Sequence, residues 1–251
     1  AYNVLKEAIR KNNSLHLFVY DNSPSRQTDD LFEFDRVSYS HDKENPGLAK
    51  AYNAGLSYYL QVKAQLLMLL YQDTLIQASD IEQVMTYTDI AEVGACVPIV
   101  YSGEQRISPV FSRAYISRER SYPDVGITAE AVMAINSGTV LTEKGLQAVG
   151  KFNEAFPLDF LDHWIFWTLH QKNMNIAVLP FSISHDLSVL DYSKVSLLRY
   201  ESIVSAETRF YTQYDRNKLL IHRRHLLKRL LKQFLIVKNR RIWRRTWEEY
   251  Q

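Results

Sequence analysis

Apolar residues fall in short blocks separated by polar turn formers. Leu15-His-Leu-Phe-Val-Tyr20 is apolar and aromatic and runs into Asp21-Asn-Ser-Pro-Ser25, which predicts a buried strand ending in a loop. Gln65-Leu-Leu-Met-Leu-Leu70 predicts a second strand, stopped by Tyr71-Gln-Asp-Thr74, and Val93 to Val100 a third. Between them Leu5 to Arg10 reads as the end of a helix. Asn45-Pro-Gly47 opens a helical stretch through Ala51, Ala54 and Tyr58, and a further helix is expected from Ser79, capped by its hydroxyl with Glu82 three residues on. In the second half, Thr142 is placed to cap a helix over Glu143 to Val149 that Gly150 ends. His163 to Gln171 reads as helix and Asn175 to Pro180 as strand. Strands alternating with helices predict an α/β domain with a mostly parallel sheet flanked by helices. In open α/β sheets ligands bind where strands end. Asp21 and Asp73, each immediately after a predicted strand, are therefore expected on one sheet face, as a site for a nucleotide and a divalent cation.

Composition narrows the class. Of 251 residues, 46% are hydrophobic and 23% charged, an ordinary globular balance that argues against disorder. The lone cysteine, Cys96, excludes a disulfide scaffold and a cysteine-rich zinc site and fits a reducing compartment. No apolar run approaches the roughly 18–20 residues of a membrane span. Charge is lopsided: residues 218–251 hold eleven Lys/Arg and two Glu, whereas the rest of the chain is acidic. In this tail, leucines at 219, 220, 226, 227, 230 and 231, then Phe234 and Leu235, recur close to a helical period with Arg and Lys between them. A basic amphipathic helix of this kind lies on an anionic membrane, packs on a partner, or covers its own domain. The membrane surface is the expectation, with Trp243 and Trp247 suited to the interface. The acidic body gives no reason to expect a nucleic-acid partner.

Several segments together resemble the inverting family-two glycosyltransferases of the GT-A fold, in particular the bacterial rhamnosyltransferase-like branch that builds cell-surface polysaccharides. Val19-Tyr-Asp-Asn-Ser23 is similar to the family's "V-D-N-S" strand end, and Asn45-Pro-Gly-Leu-Ala-Lys-Ala-Tyr-Asn-Ala-Gly55 to its "N-x-G-x-x-x-A-x-N-x-G" segment. Leu69-Leu-Tyr-Gln-Asp-Thr74 stands where the family has "L-L-D-Q-D", and Asn136-Ser-Gly138 resembles its "S-S-G" loop. Val149 to Asp162 looks like "I-G-x-F-D-E-x-F-F-I-D-Y-V-D", His185 follows the last core strand as in the family, and Tyr211 with Arg216-Asn217 resembles a later "Y…R-N" signature. The order and spacing, more than any one motif, carry the resemblance, over residues 1–217. Two departures stand out. The family's first strand is expected upstream of Ala1, and Tyr71 replaces the first aspartate of its Asp-x-Asp motif.

The resemblance implies a GT-A catalytic domain over 1–217 and a basic helical extension over 218–251. It implies transfer of a sugar, with inversion, from a UDP- or dTDP-sugar to a saccharide or lipid-linked saccharide, with Mg²⁺ or Mn²⁺ neutralising the departing diphosphate. Asp73 and His185 are the implied metal ligands, and Asp21, Asn45 and Gln72 the implied nucleotide contacts. Asp162 is the implied general base, in an aromatic setting that helps a carboxylate take a proton near neutral pH, with Asp159 as the fallback. Asn136, Ser137, Gly138 and Trp164 are the implied sugar contacts. Each has a plainer reading: an Asx turn for Asp21 and a turn residue for Asp73; a helix N-cap for Asp162; a structural role for His185; and core packing for Trp164 and Trp167. The expected location is cytoplasmic, peripheral to the inner face of the membrane. The competing class is a non-catalytic nucleotide-sugar or glycan-binding module.

Overall fold

The computed structural model describes residues 2–87, 92–116, 120–184, 196–237 and 239–251, without the side chains of Tyr2 and Ile236. In chain order the first half holds α1 (Tyr2–Lys11), β1 (Leu17–Asp21), β2 (Val37–His41), α2 (Leu48–Val62), β3 (Leu66–Met68), α3 (Ala78–Met85), β4 (Val93–Ser102) and β5 (Gln105–Ser108). There follow β6 (Val110–Phe111), β7 (Gly126–Thr128), β8 (Val132–Met133), β9 (Val140–Thr142), α4 (Glu143–Val149), α5 (Leu161–Gln171) and β10 (Asn175–Ser184). α6 (Leu197–Arg209), α7 (Leu219–Ile236) and α8 (Arg240–Tyr250) complete the chain.

The α/β architecture is as expected, but the sheet is mixed rather than mostly parallel. The main sheet runs β3-β9-β4-β10-β7, with β5 folded back on β4. Only β4 and β10 pair in parallel; β9 enters antiparallel to both β3 and β4. The βαβ rhythm concealed this because β7 and β9 span three residues each, too few to show a period. β1 and β2 form a separate parallel pair, in register from Leu17↔Val37 to Asp21↔His41. Asp21 and Asp73 therefore do not lie at the ends of strands in one sheet. Among the described residues, β1 and β3 each pair along one edge only.

The core lies between the main sheet and α2, α4 and α5. Leu161, Ile165 and Leu169 of α5 are fully buried there, one apolar stripe at the i, i+4, i+8 spacing of a packed helix. Thr142 caps α4 as expected, accepting from Gly145 N at 3.1 Å. The cap of α3 falls earlier than Ser79: Gln77 N donates to Asp80 Oδ2 at 2.8 Å. The basic tail is helical but not detached. Leu226 of α7 and Ile242 of α8 pack with Tyr200 and Val204 of α6, and no helix among the described residues is long and apolar enough to cross a membrane.

Candidate active site

The segment after β3 is a tight turn held at both ends. Thr74 N donates to Tyr71 O at 3.1 Å, and Tyr71 N donates to Thr74 Oγ1 at 2.9 Å. The Thr74 hydroxyl, fully buried, meets Ser137 Oγ at 2.6 Å. The Asn136-Ser-Gly138 loop is laid alongside: Gly138 N donates to Leu69 O, and Leu69 N to Thr139 O, both at 2.8 Å. Gly138 has φ 78°, and a Cβ there would stand 2.8 Å from Pro98 Cγ and 2.9 Å from Ile183 Cδ1, so only glycine lets the loop sit this close. Two predicted segments, joined by a contact 63 residues apart in sequence, are thus locked together, with Gln72 and Asp73 exposed at the tip. Leu75 bridges to Ser184 at the end of β10; His185, the next residue, lies outside the described residues.

The Asn45-to-Gly55 segment anchors the loop that leads into α5 and Asp162. Gly47 has φ 100°, and a Cβ there would lie 2.5 Å from Pro157 O. That carbonyl accepts the first two amides of α2, from Leu48 and Ala49, which caps the helix from outside. Asn53 behaves like a strand edge: its Oδ1 accepts from Phe152 N at 2.8 Å and its Nδ2 donates to Phe152 O at 3.0 Å. Asn45, an implied nucleotide contact, is exposed at the entry to this turn with φ 46°.

Asp162 lies in the first turn of α5, not at its cap. Phe160 occupies the cap with φ 63° and makes no side-chain cap bond. Asp162 Oδ1 accepts from its neighbour, His163 N at 2.8 Å, and lies 3.0 Å from His163 Nδ1. The N-cap reading of Asp162 therefore does not hold. The Asp162 charge is felt by two buried phenols: Tyr71, which the sequence marks only as a departure, and Tyr52, which it does not single out. Burial, and then the charge of Asp162, push the Tyr71 hydroxyl up to about 12. Burial likewise holds Tyr52 well above the ordinary tyrosine range, beside Tyr71 and Asp162. Both are neutral phenols at physiological pH, hence donors. Asn136 also hydrogen-bonds Tyr71, while its Oδ1 is buried without a partner among the described residues. Asp162, Tyr71, Tyr52 and Asn136 thus form one cluster, and the Asp73 turn grows out of it.

Other implied residues are placed elsewhere. Asp159, the fallback base, is tied to α6 by Arg199 Nη1 at 2.7 Å and Ser202 Oγ at 2.6 Å; burial pushes its carboxyl up from the ordinary value despite these bonds. Asp21 is fully subscribed. Oδ1 accepts from the amide (2.8 Å) and hydroxyl of Ser23, and Oδ2 from Gln27 N at 3.3 Å and the Tyr39 hydroxyl. Burial alone would raise its carboxyl, but these donors outweigh it and hold the group well below the usual range. A carboxylate has about four lone-pair sites, so the Asx-turn reading is realised and a nucleobase would have to displace an existing donor. Trp164 is 9% exposed within the main core. Its ring packs there and is not offered to a sugar, because it points to the buried side of α5. Trp167 instead lines an open cleft.

No family profile matches the sequence. Over 172 residues, the chain is 25% identical to the dTDP-rhamnosyl transferase RfbF of Shigella flexneri, covering 67% of this chain and 57% of that protein; it spans little more than half the length of this curated relative. Two solved structures share the fold. The crystal structure of GalNAc-T7 with UDP, GalNAc and Mn²⁺ superposes with TM-score 0.52 at 12% identity, covering 82% of this chain and 44% of that one. S. aureus TarS 1–349 superposes with TM-score 0.51 at 11% identity, covering 99% and 75%. The chain has the GT-A fold, and in sequence it is similar to a dTDP-rhamnosyl transferase.

Proposed function

We propose that this chain moves a sugar from a nucleoside diphosphate, dTDP or UDP, to a saccharide hydroxyl by direct displacement, with inversion at the anomeric carbon. The carrying observation is the meeting of Asp162 with the Asp73 turn through Tyr71 and Asn136. The acceptor oxygen attacks the anomeric carbon, its proton passes to Asp162, and the bond from that carbon to the diphosphate oxygen breaks. The RfbF relative is named a dTDP-rhamnosyl transferase, and a structural neighbour was crystallised with UDP, GalNAc and Mn²⁺; both support the donor class.

Among the described residues no three His, Cys, Asp or Glu side chains gather as a metal site. One exposed carboxylate, Asp73, nevertheless suits Mg²⁺ or Mn²⁺, which bind through one or two carboxylates plus substrate phosphates. When bound, the cation would neutralise charge on the leaving diphosphate, with His185 as the second expected ligand. Tyr71 brings no charge to the position where the resemblance expects an aspartate. As a neutral phenol it sits near Asp162 and hydrogen-bonds Asn136. In this reading the unpartnered Asn136 Oδ1 is the sugar contact that the Asn136-Ser-Gly138 loop supplies, and the exposed Gln72 the nucleotide contact.

Asp73 is exposed, so Asp73→Ala should leave stability within about 0.5 kcal/mol of the parent. Calorimetric titration should show Mn²⁺-dependent dTDP and UDP binding weakened at least ~10-fold. Unchanged metal-dependent binding in the variant would overturn the assignment. If the parent binds nucleotide yet turns over no donor in any acceptor mixture, the binding-module reading replaces the enzyme.

We also propose that α7 rests on an anionic bilayer. Leu220, Leu227, Leu231 and Leu235 are 73%, 41%, 60% and 81% exposed and share one face by their helical spacing, interleaved with Arg224, Lys228 and Lys232. A row of rings, Phe234–Trp243–Trp247, adjoins it at 5.8 and 6.2 Å. Each basic side chain near such a surface contributes about 1 kcal/mol, screened by salt. The protein should sediment with anionic vesicles at low salt and release at high salt, and Leu227→Glu with Leu231→Glu should abolish this. Sedimentation unchanged by the substitutions would refute the contact.

A further inference from the structure

The two carboxylate oxygens of Asp162 are engaged unequally. Oδ1 accepts twice from His163, from its amide at 2.8 Å and from Nδ1 at 3.0 Å. Among the described residues Oδ2 makes no hydrogen bond. We infer that His163 is a positioning residue: it holds one oxygen of the Asp162 carboxylate still and leaves the other to take the proton, an assignment that rests on the transferase reading above.

The start of α5 explains the arrangement. Adjacent residues on a helix do not face each other, so a bond between them needs a side chain to fold back. The first turn closes with Trp164 N on Phe160 O at 3.0 Å, and the His163 amide is one of the early donors that no helical carbonyl reaches. The Asp162 carboxylate folds back onto that amide, at the positive end of the helix. A carboxylate only accepts, so Nδ1 carries the proton of the second bond. One bond would leave the carboxylate free to swing. Two bonds to one oxygen fix its torsion and present Oδ2 in a single direction, which a general base needs to meet the proton it removes.

The imidazole is itself held. Phe160 stacks on it with 4.3 Å between ring centres and 27° between planes, and Phe210 meets it edge-on at 5.8 Å and 72°. The other nearby carboxylate, Asp159, is taken by Arg199 and Ser202 and does not compete for Nδ1. Both side chains of the pair are 20% exposed: dry enough for the bond to persist, open enough for a hydroxyl to approach.

Hydrolysis of dTDP- and UDP-sugars, with water in place of the acceptor, reads the base directly. His163→Phe keeps the stack on Phe160 and removes both ring nitrogens, whereas His163→Asn puts an amide near the position of Nδ1. Per folded molecule, His163→Phe should lower kcat roughly tenfold with the donor KM unchanged, the cost of a misplaced group. His163→Asn should stay within about threefold of the parent, because it still donates to Oδ1. In the Asp162→Asn background His163→Phe should cost nothing further, since a residue acting through the base has no effect once the base is gone. Nitrogen NMR of the imidazole, assigned by its loss in His163→Asn, should show a protonated Nδ1 in the parent at mildly alkaline pH. A bare Nδ1, or a His163→Phe loss that adds in full to that of Asp162→Asn, would overturn the positioning role. So would a His163→Phe loss as large as that of Asp162→Asn and not relieved in His163→Asn, which would make the imidazole the proton acceptor. A parent that binds dTDP or UDP but turns over neither donor would instead overturn the transferase reading, whatever the state of Nδ1.

Discussion

Asp162→Asn should lower the transfer rate roughly 10²–10⁴-fold, the usual effect of removing a general base, while donor affinity and thermal stability stay close to the parent. The structure allows this separation. Helix α5 is capped by Phe160 and not by Asp162, so the substitution costs no cap. An asparagine Oδ1 still accepts from His163 N, the bond now made at 2.8 Å. Its amide differs from the carboxylate mainly in charge and in its inability to take a proton. The control is Asp159→Asn. Asp159 is held by Arg199 and Ser202, so its replacement should act through stability, lowering the melting temperature more than the rate per folded molecule. The discriminating measurement is single-turnover transfer from dTDP- and UDP-sugars, normalised to folded protein. If Asp159→Asn abolishes turnover in a folded enzyme while Asp162→Asn does not, the proton passes to Asp159 instead.

These contrasts mark what the sequence could and could not disclose. The strands around Leu17, Leu66, Val93 and Asn175 were visible because each is an apolar block bounded by turn formers. β9 was not, since three residues show no periodicity, and missing it turned a mixed sheet into an expected parallel one. The Asp73 turn and the Asn136 loop were both recognisable, but their union depends on Thr74 meeting Ser137, a long-range contact no local pattern records. Asp21 illustrates a different limit. The Asx-turn residues after it were legible, but that they would use every acceptor site on the carboxylate required Tyr39 and Gln27 in place. Tyr71 was noticed only as a departure, and Tyr52 not at all; a buried phenol beside a carboxylate looks like any core tyrosine in sequence. The cleft lined by Trp167 draws on four separate segments and has no linear signature. The tail was read correctly as helical and amphipathic, but half its apolar positions face the domain: Leu226 and Leu230 are buried, whereas Leu227 and Leu231 are exposed.

Arg229→Ala should destabilise the protein by about 3–5 kcal/mol, a large fraction of the ~5–15 kcal/mol that holds a domain of this kind together. Glu207 of α6 is buried, its side chain 8% exposed. Arg229 of α7 grips it with two nitrogens, at 2.7 and 3.0 Å. The Tyr115 hydroxyl donates to it at 2.9 Å, and His222 Nδ1 lies 3.7 Å away. Burial alone would raise the Glu207 carboxyl, but Arg229 foremost holds it below its ordinary value. Removing the arginine leaves a carboxylate dry and uncompensated, which costs far more than the pair itself contributes. Glu207→Gln in the Arg229→Ala background removes that charge, so the double variant should recover part of the loss. The same cluster sets a pH dependence. Glu207 is depressed, and burial lowers His222 below the usual imidazole value. In both cases the unfolded chain takes up protons before the folded one does. Their stabilisation is therefore complete above about pH 6.5 and declines on acidification, first through His222 and then, near pH 4.5 and below, through Glu207. Urea midpoints should be lower at pH 5 than at pH 7 for the parent, and lower at both for Arg229→Ala. A chain ending at Asn217 would lose Arg229, Leu226 and Ile242 together and strip the cover from Tyr200 and Val204. It should unfold or aggregate rather than persist as the separable domain the sequence implies. Should that truncation remain folded, or Arg229→Ala keep the parental midpoint, the tail would be an appendage and the buried pair of no consequence to stability.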